Sequence, residues 1–277
     1  ASELKKVQKQ LGCRRTSLGS LSEATRVFDP ELLRGIIGEL AAQVQPIRQI
    51  GQGHVDQLLI AVDGSVVKTL ATIAKATYSH TKGGKPQAGW RLHTHFDLDR
   101  HVPQRIDVTP GKNGGSSDEK AVLRANLQPD HCYVMDRWYA QFSLLNDIAA
   151  VGSSYVCRVR DNSSYEVSES RPLSDEALAV DVLSDELVWL GGHGAQAKRP
   201  NHVVRLVQVR ITPHQQRGRH GGSTGPGSDG ILRIATNLLD PPAEIIAEIY
   251  RQRWTIEVFF RFFKHVLGCR HLLAQDQ

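Results

Sequence analysis

Cysteine is scarce in this sequence, and the few cysteines that it has are scattered. Cys13, Cys132, Cys157 and Cys269 form no Cys-x-x-Cys pair, and no secretory segment precedes them. This spacing favours reduced, buried thiols over disulfides.

Long apolar runs are also missing, and none approaches the roughly 20 residues that a membrane span needs. We therefore expect an intracellular protein with no membrane partner. The segment GKNGGSSDE at 111–119 contains Gly-Lys, but it lacks the glycine spacing of a P-loop and the Ser or Thr that follows its lysine. This excludes a P-loop nucleotide site.

Positive charge is in modest excess, with 34 Lys and Arg against 29 Asp and Glu, a net charge of +5 and a pI of about 9.1. Such a balance suits a nucleic-acid partner without requiring one.

The pattern of the 277 residues predicts three regions. Residues 1–50 have helical periodicity and form an N-terminal segment that we expect to be incomplete. Residues 51–160 and 231–277 are predicted to form an α/β catalytic domain. Val-rich alternation between 161 and 230 predicts a β-rich insertion within that domain.

Two short apolar runs, each typical of a buried strand, end in an acid. The run at 57–62 leads into Asp63-Gly64-Ser65, and the run at 131–135 leads into Asp136. Because functional groups gather at strand ends in open α/β sheets, both acids are candidates for a site. The alternatives are an ordinary turn at Asp63 and a solvated cap before the predicted helix 141–150 at Asp136.

Between these acids, the runs near 90–99 and 103–110 predict an antiparallel meander with the first strand. His93, His95, Asp97 and Asp99 alternate along one face of the first run. The His-x-His-x-Asp pattern resembles metallohydrolase ligands, but residue 98 is Leu, so a polar sheet face is favoured. The following helix, near 118–127, is predicted to be capped by Ser116 or Ser117.

A long helix is predicted near the end of the sequence, with Asp240 as N-cap and no Pro or Gly from 243 to 267. Four polar residues share an arc of about 60° on this helix: Tyr250, Arg253, Glu257 and Lys264. The neighbouring arc is apolar and is predicted to face the core: Ile249, Ile256, Phe259, Phe263 and Val266. An ordinary i,i+4 contact between Arg253 and Glu257 is the alternative to a phosphate and metal site.

Asp63, Asp136 and Glu257 would meet in an RNase H-like mixed sheet flanked by helices. Three carboxylates can hold two hard cations such as Mg²⁺ or Mn²⁺, which activate a nucleophilic oxygen and stabilise the departing oxygen of a phosphodiester.

With these residues in place, the sequence resembles the DDE transposases of bacterial insertion sequences, in the insertion-sequence-four type. That type has Tyr, two residues, Arg, three residues, Glu, six residues and Lys, and Tyr250, Arg253, Glu257 and Lys264 match every position. IAVDGS around Asp63 and VMDRWY around Asp136, with Tyr139 three residues later, extend the resemblance over about residues 50–270.

The resemblance implies that Asp63, Asp136 and Glu257 are the catalytic metal ligands. It also implies that Tyr250, Arg253, Lys264, Tyr139 and Arg137 contact DNA. The implied protein is a cytoplasmic, nucleoid-associated bacterial enzyme that acts on transposon ends and target DNA as a homodimer.

Three functions agree with the sequence. The first is Mg²⁺-dependent hydrolysis at transposon ends followed by strand transfer into target DNA. The second is an RNase H-like nuclease without strand transfer, and the third is a non-catalytic DNA-binding remnant of a transposase.

Overall fold

One mixed sheet dominates the computed structural model, which describes residues 32–47, 53–69, 77–79, 87–111, 114–192, 199–211, 230–266 and 271–272, with isolated positions before residue 32. The strands follow the order β2-β3-β1-β5-β6-β10-β9-β8-β7, with β4 on β3 and β11 on β1. Their bounds are β1 Leu58–Thr69, β2 Thr77–Ser79, β3 Gln87–Asp97, β4 Val102–Pro110, β5 His131–Met135, β6 Ser154–Arg158, β7 Tyr165–Ser170, β8 Val182–Leu190, β9 Val204–Arg210, β10 Ile231–Thr236 and β11 His271–Leu272.

Helices cover both faces of this sheet. They are α1 Leu32–Gln43, α2 Glu119–Ala125, α3 Phe142–Ala150, α4 Asp175–Ala179, α5 Ala243–Gln252 and α6 Trp254–His265. The predicted mixed sheet with flanking helices is confirmed. Within the described ranges, no helix is long and apolar enough to cross a membrane.

The centre of the sheet consists of parallel strands, with β5 parallel to both β1 and β6. Parallel strands covered on both faces are apolar throughout, which explains the unbroken runs in the sequence. Leu59, Ala61 and Val134 pack with Ile246 and Ile256 of α5 and α6, on what we call the site face. Their neighbours along the strands pack with α2 and α3 on the rear face: Ile60, Val62, Tyr133 and Met135.

The predicted antiparallel meander is confirmed, because β3 pairs antiparallel with both β1 and β4. The predicted end of the first strand at Asp63 is wrong. Parallel pairing with β5 stops at Val62, but antiparallel pairing with β3 continues to Lys68. Asp63 and Gly64 therefore lie within a strand rather than in a turn.

β6 is an inner strand of the sheet rather than an edge strand. β10 pairs antiparallel with β6, and β9, β8 and β7 then continue the sheet outward. The strands of the segment 161–230 thus extend the same sheet that carries the two aspartates.

The polar residues of β3 form a buried layer rather than a solvated face. His93 and His95 are 3% and 6% exposed, and Asp97 is fully buried. Asp97 Oδ1 accepts hydrogen bonds from the backbone N–H groups of Asp99 and Arg100 at 2.9 and 2.8 Å. Burial lowers the pKa of His95 to about 4, so its imidazole is neutral at pH 7.

Two helix starts differ from the predictions. Asp118, not a serine, caps α2, because its side chain accepts a hydrogen bond from the Lys120 backbone N–H. Pro242, not Asp240, is the N-cap of α5, and no side chain caps it.

The predicted single C-terminal helix is two helices that meet at Arg253. Val266, predicted to face the core, is 69% exposed. Cys132 and Cys157 are buried free thiols, as predicted, whereas Cys13 and Cys269 lie outside the described residues.

Candidate active site

The pairing of β1 with β5 brings two of the predicted acids to adjacent positions. Val62 pairs with Met135 as the last parallel pair, and Asp63 and Asp136 each follow directly. Since side chains alternate along a strand, Asp63 shares the site face with Ala61, and Asp136 follows the alternation of Val134. The two carboxylates therefore emerge on the same side of the sheet.

Each aspartate is oriented by a backbone N–H group from its own loop or strand. Asp63 Oδ1 accepts from Gly64 N–H at 2.8 Å. Asp136 Oδ1 accepts from Trp138 N–H at 2.8 Å, at the turn between β5 and α3. These bonds fix one oxygen of each carboxylate to the main chain.

Helices α5 and α6 bring Glu257 over these acids. Ile249 and Ile256 are both fully buried against the site face, which anchors the helices on either side of their junction. Glu257 lies one turn beyond the junction, and its side chain is 31% exposed. The third predicted acid thus faces the same space as the first two.

Arg253, at the junction of the two helices, lies between two of the acids. Its Nη2 donates to Glu257 Oε1 at 2.6 Å, and its Nη1 is 4.0 Å from Asp63 Oδ2. Burial by itself would lower the pKa of Arg253, but Tyr250, Glu257 and Asp63 together raise it. Arg253 therefore stays charged and acts as the counter-ion of the acidic cluster.

The pKa of Asp63 is raised in spite of this counter-ion. This pKa is raised to about 7, chiefly by burial and to a smaller extent by the charges of Asp136 and Glu257, while Arg253 and the Gly64 N–H oppose the rise. The carboxylates thus lie close enough to repel one another. An acid with such a pKa is only partly ionised at pH 7 unless another cation approaches.

The donor atoms suit a hard cation, because carboxylate oxygens are the ligands that Mg²⁺ and Mn²⁺ prefer. Across the described ranges, however, no three acidic, histidine or cysteine side chains form a ready metal cage. Oε1 of Glu257 accepts a hydrogen bond from Arg253. The three acids fit a divalent cation in type.

Tyr250 and Lys264, the other members of the predicted polar stripe, also lie at this cluster. The Arg253 guanidinium carbon is 5.9 Å from the centre of the Tyr250 ring. Burial raises the pKa of Tyr250 to about 12, so its phenol remains a hydrogen-bond donor. Partial burial lowers the pKa of Lys264 while the charge of Asp63 raises it, which places this ammonium group near Asp63.

The two residues predicted to contact DNA after Asp136 differ in exposure. Arg137 is half-buried beside the site. Tyr139 is only 1% exposed, so in this structure its side chain has no surface for DNA. Burial raises the pKa of Tyr139 well above its usual value, and the charges of Glu119, Asp63 and Asp136 add to the effect. Tyr139 therefore supports the acids from the rear face.

Sequence reasoning missed three charged residues at the site. Arg158, the last residue of β6, is 12% exposed in its side chain, pairs with Asp161 at 3.5 Å and lies close enough to Tyr250 to lower its pKa. Arg91 and Glu119 form an ion pair behind Asp63. Alternation from the buried Val156 would have placed Arg158 on the site face. No sequence signal pairs Arg91 with Glu119.

A cleft of about 380 Å³ opens next to Arg253, between β9 and the two helices. Basic and aromatic side chains line it: Arg210, Arg251, Arg253, Tyr250 and Trp254. Trp254 is 45% exposed. Asp181 and apolar side chains complete the lining, so the cleft carries an excess of positive charge next to Arg253.

Residues 55–277 match the family described as the transposase DDE domain. The chain is 26% identical over 214 residues to the "Probable transposase for insertion sequence element IS5377" of Geobacillus stearothermophilus, covering 76% of this chain and 50% of that protein. It is 23% identical over 295 residues to the Escherichia coli transposase for insertion sequence element IS421, covering 94% of this chain and 73% of that protein.

The chain spans about half the length of the first curated relatives that it matches, 48% and 50%. Among solved structures, a piggyBac transposase chain from a synaptic complex with hairpin DNA aligns with a TM-score of 0.43 and 10% identity. That alignment covers 75% of this chain and 40% of the piggyBac chain.

Proposed function

The chain belongs to the DDE transposase family, and we propose that it catalyses phosphodiester hydrolysis at transposon ends and strand transfer into target DNA. We further assign it to the insertion-sequence-four type, with an RNase H-like catalytic domain and a β-rich insertion at 161–230. The observation that carries the proposal is the register of β1 and β5, which sets Asp63 beside Asp136, under the helix that carries Glu257.

Asp63, Asp136 and Glu257 are the residues that would hold the divalent cations, Mg²⁺ or Mn²⁺ and two in number. Such ions supply activation of the attacking oxygen and stabilisation of the leaving oxygen of the phosphodiester. The acids contribute the negative charge for this task, and burial, which raises the pKa of Asp63 most, leaves its carboxyl poised to ionise when a cation binds.

Arg253 has two roles in the proposed mechanism. Without DNA its guanidinium neutralises Glu257 and Asp63. A DNA phosphate competes for the same guanidinium, because arginine binds phosphate with paired hydrogen bonds. Transfer of Arg253 to the phosphate releases Glu257 toward the aspartates, so that DNA binding itself completes the acidic site.

The remaining DNA contacts follow from charge and position. The Tyr250 phenol donates a hydrogen bond, and Lys264 supplies a point charge on the same side of the acids. Arg137 and the basic cleft lined by Arg210 and Arg251 would follow the DNA backbone away from the cleaved bond. We propose that two copies act together on DNA.

A plasmid assay tests the proposed reaction. The protein is incubated with Mg²⁺ and a supercoiled plasmid that carries its gene with the DNA on both sides, together with a second, target plasmid. Cuts at fixed positions beside the gene and joining of those ends to the target are expected. Cutting without joining would instead indicate the nuclease, and DNA binding without cutting would indicate the non-catalytic remnant.

A further inference from the structure

An ion pair between Arg91 and Glu119 lies on the rear face, directly behind the first catalytic acid. Arg91 belongs to β3 and pairs across the strands with Val66 of β1. Glu119 is the first residue of α2. Their side chains are 17% and 10% exposed, so the pair is largely removed from solvent.

The Glu119 carboxylate packs on the backbone of β1 at the residue after Asp63. A Cβ atom added to Gly64 would lie 2.9 Å from Glu119 Cδ and 3.2 Å from its Cγ, with Oε1 closer still. A side chain at position 64 would displace the Glu119 carboxylate. Glycine at position 64 therefore lets the carboxylate lie against the strand.

This contact reaches Asp63 through a single peptide group. The Gly64 N–H donates to Asp63 Oδ1 at 2.8 Å. On the opposite face of the strand, the Glu119 side chain lies against Gly64. The contact with Glu119 therefore acts on the residue whose N–H orients the acid in front. Arg91 in turn holds Glu119 in place through the ion pair.

Stability alone does not explain this arrangement. A buried ion pair is often no more stabilising than apolar side chains of the same size, because both charges lose their hydration. The ion pair fixes the orientation of the Glu119 carboxylate, because a carboxylate bound to an arginine has one strongly preferred orientation. Apolar side chains would not do this.

We propose that Glu119, held by Arg91, is a positioning residue that orients Asp63 through Gly64. The proposal rests on the proposed function, in which Asp63 binds a divalent cation. Glu119 itself lies on the rear face and is not a ligand. Its removal should therefore weaken cation binding without removing any ligand.

Binding of Mn²⁺ measured by electron paramagnetic resonance tests this, with the Mg²⁺ concentration for half-maximal plasmid cutting as a second readout. Residues that orient ligands from behind change metal affinity by about 10- to 100-fold. We expect Glu119→Gln to weaken Mn²⁺ binding by about 10-fold or more, within that range, and to raise the Mg²⁺ requirement in step. Arg124→Ala is the matched control, because Arg124 lies on the same helix and its pair with Asp147 is exposed. The Mn²⁺ affinity of Arg124→Ala should equal that of the wild type.

Two other variants keep the test decisive if Glu119→Gln does not fold. Arg91→Leu combined with Glu119→Met removes both charges and leaves neither unpaired. Gly64→Ala keeps both charges and displaces Glu119 from the strand. Each should weaken Mn²⁺ binding as Glu119→Gln does.

Unchanged Mn²⁺ affinity in these folded variants would overturn the positioning role and leave the proposed function intact. Failure of the wild type to bind Mn²⁺ and to cut would overturn the proposed function, and the positioning role with it.

Discussion

Arg253 donates to Glu257 at 2.6 Å while its other terminal nitrogen is 4.0 Å from Asp63. The guanidinium therefore occupies the position of a counter-ion between two of the acids assigned to metal binding. The charge of Arg253 lowers the pKa of Asp63, and the charges of Asp136 and Glu257 raise it. In the proposed function, this position makes Arg253 a competitor of the cation when DNA is absent.

Removal of Arg253 should therefore strengthen the binding of a divalent cation and weaken the binding of DNA. Breaking a hydrogen bond to a charged group costs about 1.5–3 kcal/mol. Arg253→Met removes that cost, and we expect Mn²⁺ binding without DNA to strengthen by about 10-fold, near the lower end of that range. DNA binding should weaken and depend less on salt, because one phosphate contact is lost.

Calorimetric titration with Mn²⁺ and fluorescence anisotropy with labelled duplex DNA measure these effects. Arg124→Met is the control, because Arg124 lies on the rear-face helix α2 and its pair with Asp147 is exposed. Weaker Mn²⁺ binding by the Arg253 variant would show that the guanidinium supports the site rather than competing for it.

The raised pKa of Asp63 predicts a dependence of stability on pH. Its pKa rises from 3.8 to about 7 on folding, so between these values the folded state binds more protons than the unfolded state. By linkage, the contribution of Asp63 to stability decreases as pH rises from about 4 to about 7, by at most about 4 kcal/mol, and is constant above.

The free energy of unfolding of the metal-free protein, measured in urea at several pH values, checks this contribution. The stability of Asp63→Asn relative to the wild type should increase with pH across that window and then level off. A constant difference between Asp63→Asn and the wild type would exclude the raised pKa.

The acids could be predicted because the sequence patterns that point to them are local and periodic. Apolar runs ending at Asp63 and Asp136 predict buried strands, and a helical arc predicts that Arg253 and Glu257 share one side of a helix. What the sequence does not contain is the partner of each strand. The continuation of β1 past Asp63 depends on its pairing with β3, and the central position of β6 depends on its pairing with β10.

The division of the C-terminal helix and the ion pair behind Asp63 could not be predicted from the sequence, for a related reason. No Pro or Gly marks the junction at Arg253, and Arg253 itself keeps helical backbone angles, with φ −49° and ψ −33°. Glu119 and Arg91 are 28 residues apart, so only the folded chain brings them together. Tyr139 illustrates the converse, since a residue that the family resemblance assigns to DNA is buried here.

A second buried ion pair holds the start of α5 and should matter for stability. Arg205 binds Asp185 through two hydrogen bonds of 2.7 Å and also donates to the Leu238 carbonyl at 3.3 Å. Its side chain is 2% exposed. Arg205→Met leaves Asp185 buried and unpaired, which should cost about 3–5 kcal/mol.

Urea unfolding measures this cost, and the double variant Arg205→Met with Asp185→Leu should recover much of it, because no lone charge remains. The exposed pair of Arg124 and Asp147 is the control, worth about 1 kcal/mol or less. Equal losses for the buried and the exposed pair would contradict the role assigned to Arg205.

The central claim is that Glu257 acts with Asp63 and Asp136 in one metal-dependent site. Its most direct test compares Mg²⁺-dependent cutting of the gene-bearing plasmid by wild type, Glu257→Gln and Glu248→Gln, with DNA binding measured in parallel. Glu248 lies on α5, and its side chain is 36% exposed. We predict that Glu257→Gln binds DNA but loses cutting by at least about 1,000-fold, the loss of about 4 kcal/mol of transition-state stabilisation, whereas Glu248→Gln cuts as the wild type does. Cutting by Glu257→Gln at the wild-type rate would contradict the site.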